Sequence, residues 1–147
     1  MKLSARACHG TRALIELAKH WRQGPTLLKD IARKENVSLP YLARLMAPLI
    51  AAGLVGSTRG VHGGVWLVKP PGEIGLGELV RLLDGPIAPM ECVSNPDSCE
   101  NAGTCAPRGV WLEVEKAVLE TLNATTLADL VSQQEQLERA TEVMYYI

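Results

Sequence analysis

Apolar residues recur along the first quarter of the chain with helical spacing. Leu14, Leu17, Ala18 and Trp21 fall at i, i+3, i+4 and i+7, one face of a helix that the pattern places over residues 4–21. Ser4 supplies a side-chain acceptor for its first free amides, and Gln23-Gly24-Pro25 stops it. A second helix is predicted from Leu28 to Glu35, with Ile31 and Ala32 inward and a tight turn at Asn36-Val37. Ser38 then caps a third helix whose first turn holds Pro40, where a missing N–H does no harm. Leu42, Leu45, Leu49 and Leu54 point inward, and Gly53 is the expected C-cap. Pro48 lies inside this helix; the spacing predicts either a kink there or a shortened segment over residues 39–47. Two short helices joined by a brief turn, the second strongly capped, form the helix-turn-helix pattern.

The period then changes. Leu54–Thr58 and Val65–Val68 read as two short strands around Arg59-Gly60-Val61-His62-Gly63-Gly64, a glycine-rich wing. A short helix follows from Leu76 to Asp84, with Leu79, Val80 and Leu83 inward and Gly85-Pro86 at its end. A long amphipathic helix is predicted from Arg108 to Leu122, striped by Trp111, Val114, Val118 and Leu122. The small N-terminal domain cannot cover that stripe, so a helix from a second copy of the chain is expected against it. Thr125-Thr126 caps a last short helix, Leu127 to Val131. The tail from Gln133 to Ile147 is polar and helix-prone, closes on Met144-Tyr145-Tyr146-Ile147, and receives no function. The expected fold is mainly α with a small β-hairpin wing. Residues 1–75 form a winged helix-turn-helix domain, and residues 76–147 hold a cysteine loop at about 90–107 and a dimerisation helix.

Charge sharpens this division. Residues 1–69 carry eleven Lys and Arg against three acids, whereas residues 70–147 carry four against thirteen. A basic half joined to an acidic half suggests a polyanion-binding domain attached to a different module. Hydrophobic residues make up 47% of the chain, enough for a core, but Phe is absent, so that core must be mostly aliphatic. No apolar run reaches the ~18 residues of a membrane span, and the N-terminus carries no secretory pattern. The chain is expected in the cytoplasm, where clustered cysteines more often bind metal or do redox work than form structural disulfides.

Three of the four cysteines, Cys92, Cys99 and Cys105, stand among Asn, Pro, Ser, Gly and Asp, with few apolar residues to bury the loop. A metal ion or an iron–sulfur cluster held by the thiolates would organise it. A structural zinc site is a weaker match, because C-x6-C-x5-C is looser than paired C-x2-C knuckles. Metal-free thiols that sense oxidation or a sulfur metabolite are the main alternative. An enzyme using Cys92 or Cys105 with His62 or His9 is disfavoured: no oxyanion-hole motif or orienting acid is evident. On the third helix and wing, Ser38, Tyr41, Arg44 and Arg59 are the candidate DNA contacts. Arg reads guanine bidentately or occupies a narrow minor groove. Lys2, Arg6 and Lys29 are assigned to phosphates.

These segments together resemble the Rrf-two family of bacterial winged-helix transcriptional regulators, along most of the chain from Met1 to about Val131. The likeness rests on Met1-Lys2-Leu3-Ser4, Ser38-Leu39-Pro40-Tyr41-Leu42, Ala52-Gly53-Leu54-Val55, Arg59-Gly60 with Gly63-Gly64, and Leu83-Asp84-Gly85. It continues through the three cysteines and Thr126-Leu127-Ala128-Asp129-Leu130. The resemblance implies a homodimer on a double-stranded DNA operator, with the third helix in the major groove, the wing at the minor groove and the long helix at the dimer interface. It also implies an iron–sulfur cluster, [4Fe–4S] or [2Fe–2S], at Cys92, Cys99 and Cys105, whose state controls DNA binding in response to redox state, nitric oxide or iron–sulfur status. Whether air-exposed protein keeps such a cluster is left open. Family members that complete the site with a His three residues after the last cysteine have Arg108 here, and arginine has no lone pair to give a metal. Members that use an Asp from the first helix of the other subunit have Cys8 at that position. Cys8 of the partner subunit is therefore the expected fourth ligand, with Glu91, His9 or a small molecule as alternatives. Members that read bases with Glu-Gln have Ala43 and Arg44 there, so the operator cannot be copied from them.

Overall fold

The computed structural model describes residues 1–146; Ile147, the last of the apolar terminal residues, lies outside them. Helix α1 runs Ala5–Lys19. Ser4 caps it as expected, its Oγ accepting the Arg6 amide at 3.1 Å, and the Ser4 amide and hydroxyl both donate to the Asp84 carboxylate. The start of α1 is thus tied to the end of α4 (Leu76–Asp84). The two helices pass close: a Cβ on Gly10 would meet the Leu83 side chain at 2.6 Å. A larger residue here would force the Leu83 side chain to move.

Helices α2 (Leu28–Glu35) and α3 (Leu39–Ala51) form the helix-turn-helix. Asn36 closes α2 with a left-handed backbone (φ 54°) that Asn tolerates. Ser38 Oγ accepts the Tyr41 amide at 3.2 Å at the start of α3. Two expectations for α3 are corrected. The helix does not stop at residue 47 but continues through Pro48, because Leu45, Met46 and Leu49 bury on both sides of it. The C-cap is Ala52, not Gly53; Gly53 stands one residue on, at φ 76°. There the Leu54 amide donates to the Leu49 carbonyl and the Gly53 amide to the Ile50 carbonyl, both at 3.0 Å. This is the Schellman closure, with Leu49 and Leu54 buried together beneath it.

Strands β1 (Val55–Thr58) and β2 (Gly64–Leu67) pair antiparallel, Val55 opposite Leu67 and Thr58 opposite Gly64. Thr26, before α2, adds an unforeseen third edge: its N–H and C=O both bond Val65, at 2.9 Å. A single residue of pairing leaves no period to read in a sequence. After α4 come a short helical turn α5 (Glu91–Ser94), 3-10 turns at Pro96–Ser98 and Ala102–Thr104, then α6 (Ala106–Ala124) and α7 (Leu127–Tyr145).

The final helix corrects the expected short segment Leu127–Val131: the polar tail continues it as one 19-residue helix. Thr126 and Asp129 cap each other reciprocally at its start. Farther along, Glu138 holds Lys19 of α1 at 2.9 Å, and Glu16, buried on α1, bonds Lys34 of α2 at 2.7 Å and Lys19 at 3.3 Å. Burial pulls the Lys19 ammonium down, but its bonds to Glu138 and Glu16 outweigh this and leave its pKa raised. Hydrogen bonds from Lys19 and Gln134 hold the Glu138 carboxyl below its ordinary value. Such ion pairs between distant segments leave no spacing to recognise in the sequence.

One aliphatic core joins α1, α2, α3, the wing strands, Ile74, α4 and Leu127. A smaller cluster of Ala7, Val80 and Ile87 sits under Val118, Leu119 and Leu122 of α6. No residue of α6 is fully buried, and Val110, Trp111 and Leu112 of its first half are exposed. No described helix is long and apolar enough to cross a membrane.

Candidate functional site

The buried face of α3, Leu42, Leu45, Met46 and Leu49, fixes which residues face outward. Ser38, Pro40, Ala43, Arg44 and Ala47 lie on the exposed side. Arg44 makes no ion pair among the described residues, so its guanidinium is available to an external acceptor. Tyr41 is half-buried rather than open: its hydroxyl lies 3.1 Å from His9 Nδ1, and the two rings meet edge-on at 5.7 Å. His9, offered above as a metal ligand or a base, braces the start of α3 against α1. Arg6 lies one turn before His9 on the same face of α1 and is exposed, as are Lys2 and Lys29.

The wing tip presents Arg59 to solvent. Its glycines are required by the backbone. Gly60 sits at φ 105°, and a Cβ on Gly64 would strike the Thr26 carbonyl at 2.5 Å, where the third edge crosses β2. Arg44 on α3 and Arg59 at the end of β1 thus occupy the two elements that a winged helix lays against a duplex.

The cysteine loop is held differently. Val93 is buried, but Cys92, Cys99 and Cys105 are half-buried and Cys8 is exposed on the first turns of α1; all four thiols are free. Local bonds shape the loop: the Asn95 amide donates to the Glu91 carbonyl at 2.8 Å, and Ser98 Oγ to the Asn95 carbonyl at 2.8 Å. Arg108 turns back from the start of α6 and donates through Nε to the Cys92 carbonyl at 3.0 Å. It fastens the loop through the backbone instead of ligating. Among the described residues no three Cys, His, Asp or Glu side chains of one chain converge into a metal-binding group. The donor chemistry nonetheless fits a thiolate-bound cluster, since three free thiols share one loop with little else to bury.

An exposed face on a capped second helix, flanked by a glycine-rich hairpin, defines a winged helix-turn-helix protein of the DNA-binding, transcription-regulating class. The model of the Rrf2 family, described as an iron-dependent transcriptional regulator, matches residues 3–133, and the chain belongs to that family. It is 41% identical to the HTH-type transcriptional regulator CymR of Bacillus subtilis over 147 residues, all of both chains. The solved structure of that protein, described as the global cysteine regulator of B. subtilis, matches with a TM-score of 0.76 at 42% identity, over 90% of this chain and 98% of the other. T. potens IscR matches with a TM-score of 0.75 at 34% identity, over 93% and 90%. The oxidized form of Staphylococcus aureus CymR matches with 0.72 at 37%, over 89% and 96%. These relatives are transcriptional regulators, and this chain is a regulator of the same family, not an enzyme.

Proposed function

We propose that this regulator binds its operator as a homodimer in the cytoplasm, and that an iron–sulfur cluster on Cys92, Cys99 and Cys105 controls its DNA affinity. In this division of labour residues 1–75 contact DNA and residues 76–147 pair the subunits and carry the loop. The observation that carries the reading is the loop itself: three free, half-buried thiols in a segment anchored by little more than Val93. Such a segment gains its order from a ligand. When bound, the cluster supplies a covalent tie among thiolates. Cys8 of the partner subunit completes the set in this proposal. Its exposure on α1 leaves it open to a second chain, and the uncovered apolar residues of α6 give that chain a surface to pack on. Arg108, engaged with the Cys92 carbonyl, orients the loop without competing for metal. Ser38, Arg44 and Arg59 then meet bases or the minor groove, Tyr41 supports α3, and Lys2, Arg6 and Lys29 meet phosphates.

A second reading keeps the regulator and removes the metal: the thiols respond to oxidation or to a sulfur metabolite. It is supported by the lack of a three-donor group among the described residues and by likeness to a relative described as a cysteine regulator. The two readings separate on DNA. Duplexes selected from a random library by protein purified without oxygen are titrated before and after treatment with an iron chelator. The first reading expects a shift of about tenfold or more, within the usual span of coupling between sites, and expects Cys8→Ala to abolish it. A chelator-insensitive affinity that changes with peroxide or cystine instead supports the second.

A further inference from the structure

One cleft is lined by none of the candidate DNA-contact residues and none of the cysteines. It opens between the end of α1 and the β1–β2 hairpin, with a volume of about 540 Å³. That is the size of a small-molecule site. Leu17 and Leu67 are buried at its base, and the half-buried indoles of Trp21 and Trp66 form walls. A chain with no Phe and only three Trp has put two of them here. Two cationic or protonatable groups, Arg22 and His20, complete the lining, and no acid does. His20 Nδ1 is bonded to the Glu16 carbonyl at 2.9 Å, which leaves Nε2 without an internal partner among the described residues. Arg22 makes no ion pair there; its guanidinium stands 5.5 Å from the centre of the Trp21 ring.

The backbone makes the same point. Arg22 sits at φ 62°, in the left-handed region. Gly or Asn would take that turn without strain, and a long charged residue rarely does. The turn's shape does not call for an arginine, and the arginine that stands there lines the cleft.

We infer that this cleft is a binding site for a small aromatic carboxylic acid, whose flat body lies between the indoles and whose carboxylate is met by Arg22 and His20. A simple inorganic anion would leave both indoles unused, and a neutral hydrocarbon would leave the guanidinium without a counter-charge. Because Trp66 and Leu67 belong to β2 and Thr58 to β1, an occupant touches the wing and α1 at once. The inference does not depend on the state of the cysteine loop.

Isothermal titration calorimetry of the full chain with 2-naphthoate tests it, with 2-naphthol and inorganic phosphate as comparisons. The site predicts saturable binding of one 2-naphthoate per chain, with Kd on the order of 1 mM or tighter. It predicts about tenfold weaker binding of 2-naphthol, and none of phosphate. Arg22→Gln weakens 2-naphthoate by about tenfold at an unchanged thermal midpoint. Absence of saturable heat, equal binding of acid and phenol, or full binding by Arg22→Gln overturns the proposal. So does binding lost in Trp111→Leu, which would place the probe on α6.

Discussion

Helix α3 and the cysteine loop carry the two halves of the proposed function, and they are held by opposite means. The helix is fixed by burial: Leu42, Leu45, Met46 and Leu49 are almost wholly removed from water, Ser38 caps one end, and the Gly53–Leu54 closure seals the other. Its outward residues are therefore presented in one geometry before any DNA arrives. The loop has one buried valine, a few local hydrogen bonds and an arginine strap. A reading element must be rigid to select a sequence, whereas a sensing element must be loose enough for its ligand to matter. The unequal distribution of apolar residues between residues 39–54 and 90–107 builds both into one chain.

The comparison breaks most plainly through stability. Leu45→Ala should cost about 2–5 kcal/mol, because a fully buried leucine leaves a cavity as well as its transfer energy. Cys99→Ser in metal-free protein should stay within about 0.5 kcal/mol. Urea midpoints measure both, and comparable losses would mean that the loop is packed as firmly as the helix. Arg44→Ala should next lower affinity for a selected duplex by about 1–3 kcal/mol with no change in thermal midpoint, since this side chain takes part in no ion pair among the described residues. An Arg44→Ala protein with full affinity would remove α3 from base reading at that position. Arg108→Ala should release about 1 kcal/mol of local order, seen as faster amide exchange around Cys92 with the α3 amides unaffected.

The smallest effect concerns the clasp of α7 on α1. The Glu138 carboxyl is held low, so its contribution is present above the ordinary carboxylate value and is lost as pH falls through the lowered one. Lys19 is held high, so its share is complete below the ordinary lysine value and lost as pH rises through the raised one. Glu138 is 43% exposed at its side chain, so solvent screening limits the pair to a few tenths of a kcal/mol. Glu138→Gln should lower the neutral plateau of a stability–pH curve by that amount and leave the acid end unchanged, so that the acid limb becomes shallower.

Much of this molecule was legible because local chemistry set it. Helices α2 and α4 run over the expected residues, and Ser4, Ser38 and Thr126 cap where their side chains allow. What escaped was non-local. Thr26 joins the wing by one residue, His9 meets Tyr41 across 32 positions, and Lys19 reaches Glu138 across 119. Pro48 left two outcomes open, a kink or a stop at residue 47; the helix does not stop, because the loss of one helical bond is outweighed by burial of Leu45, Met46 and Leu49 around it. The cysteines stand out by type and setting, but their spacing does not specify an assembly, and among the described residues no three donors converge.

The most direct test is the iron and acid-labile sulfide content, with the visible spectrum, of protein purified without oxygen, wild type beside Cys99→Ser. The account predicts iron and sulfide in comparable amounts in the wild type, with thiolate-to-iron absorption, and their loss in the variant while its fold persists. A wild-type protein that is colourless and free of iron under those conditions would contradict it and leave the thiols to act alone.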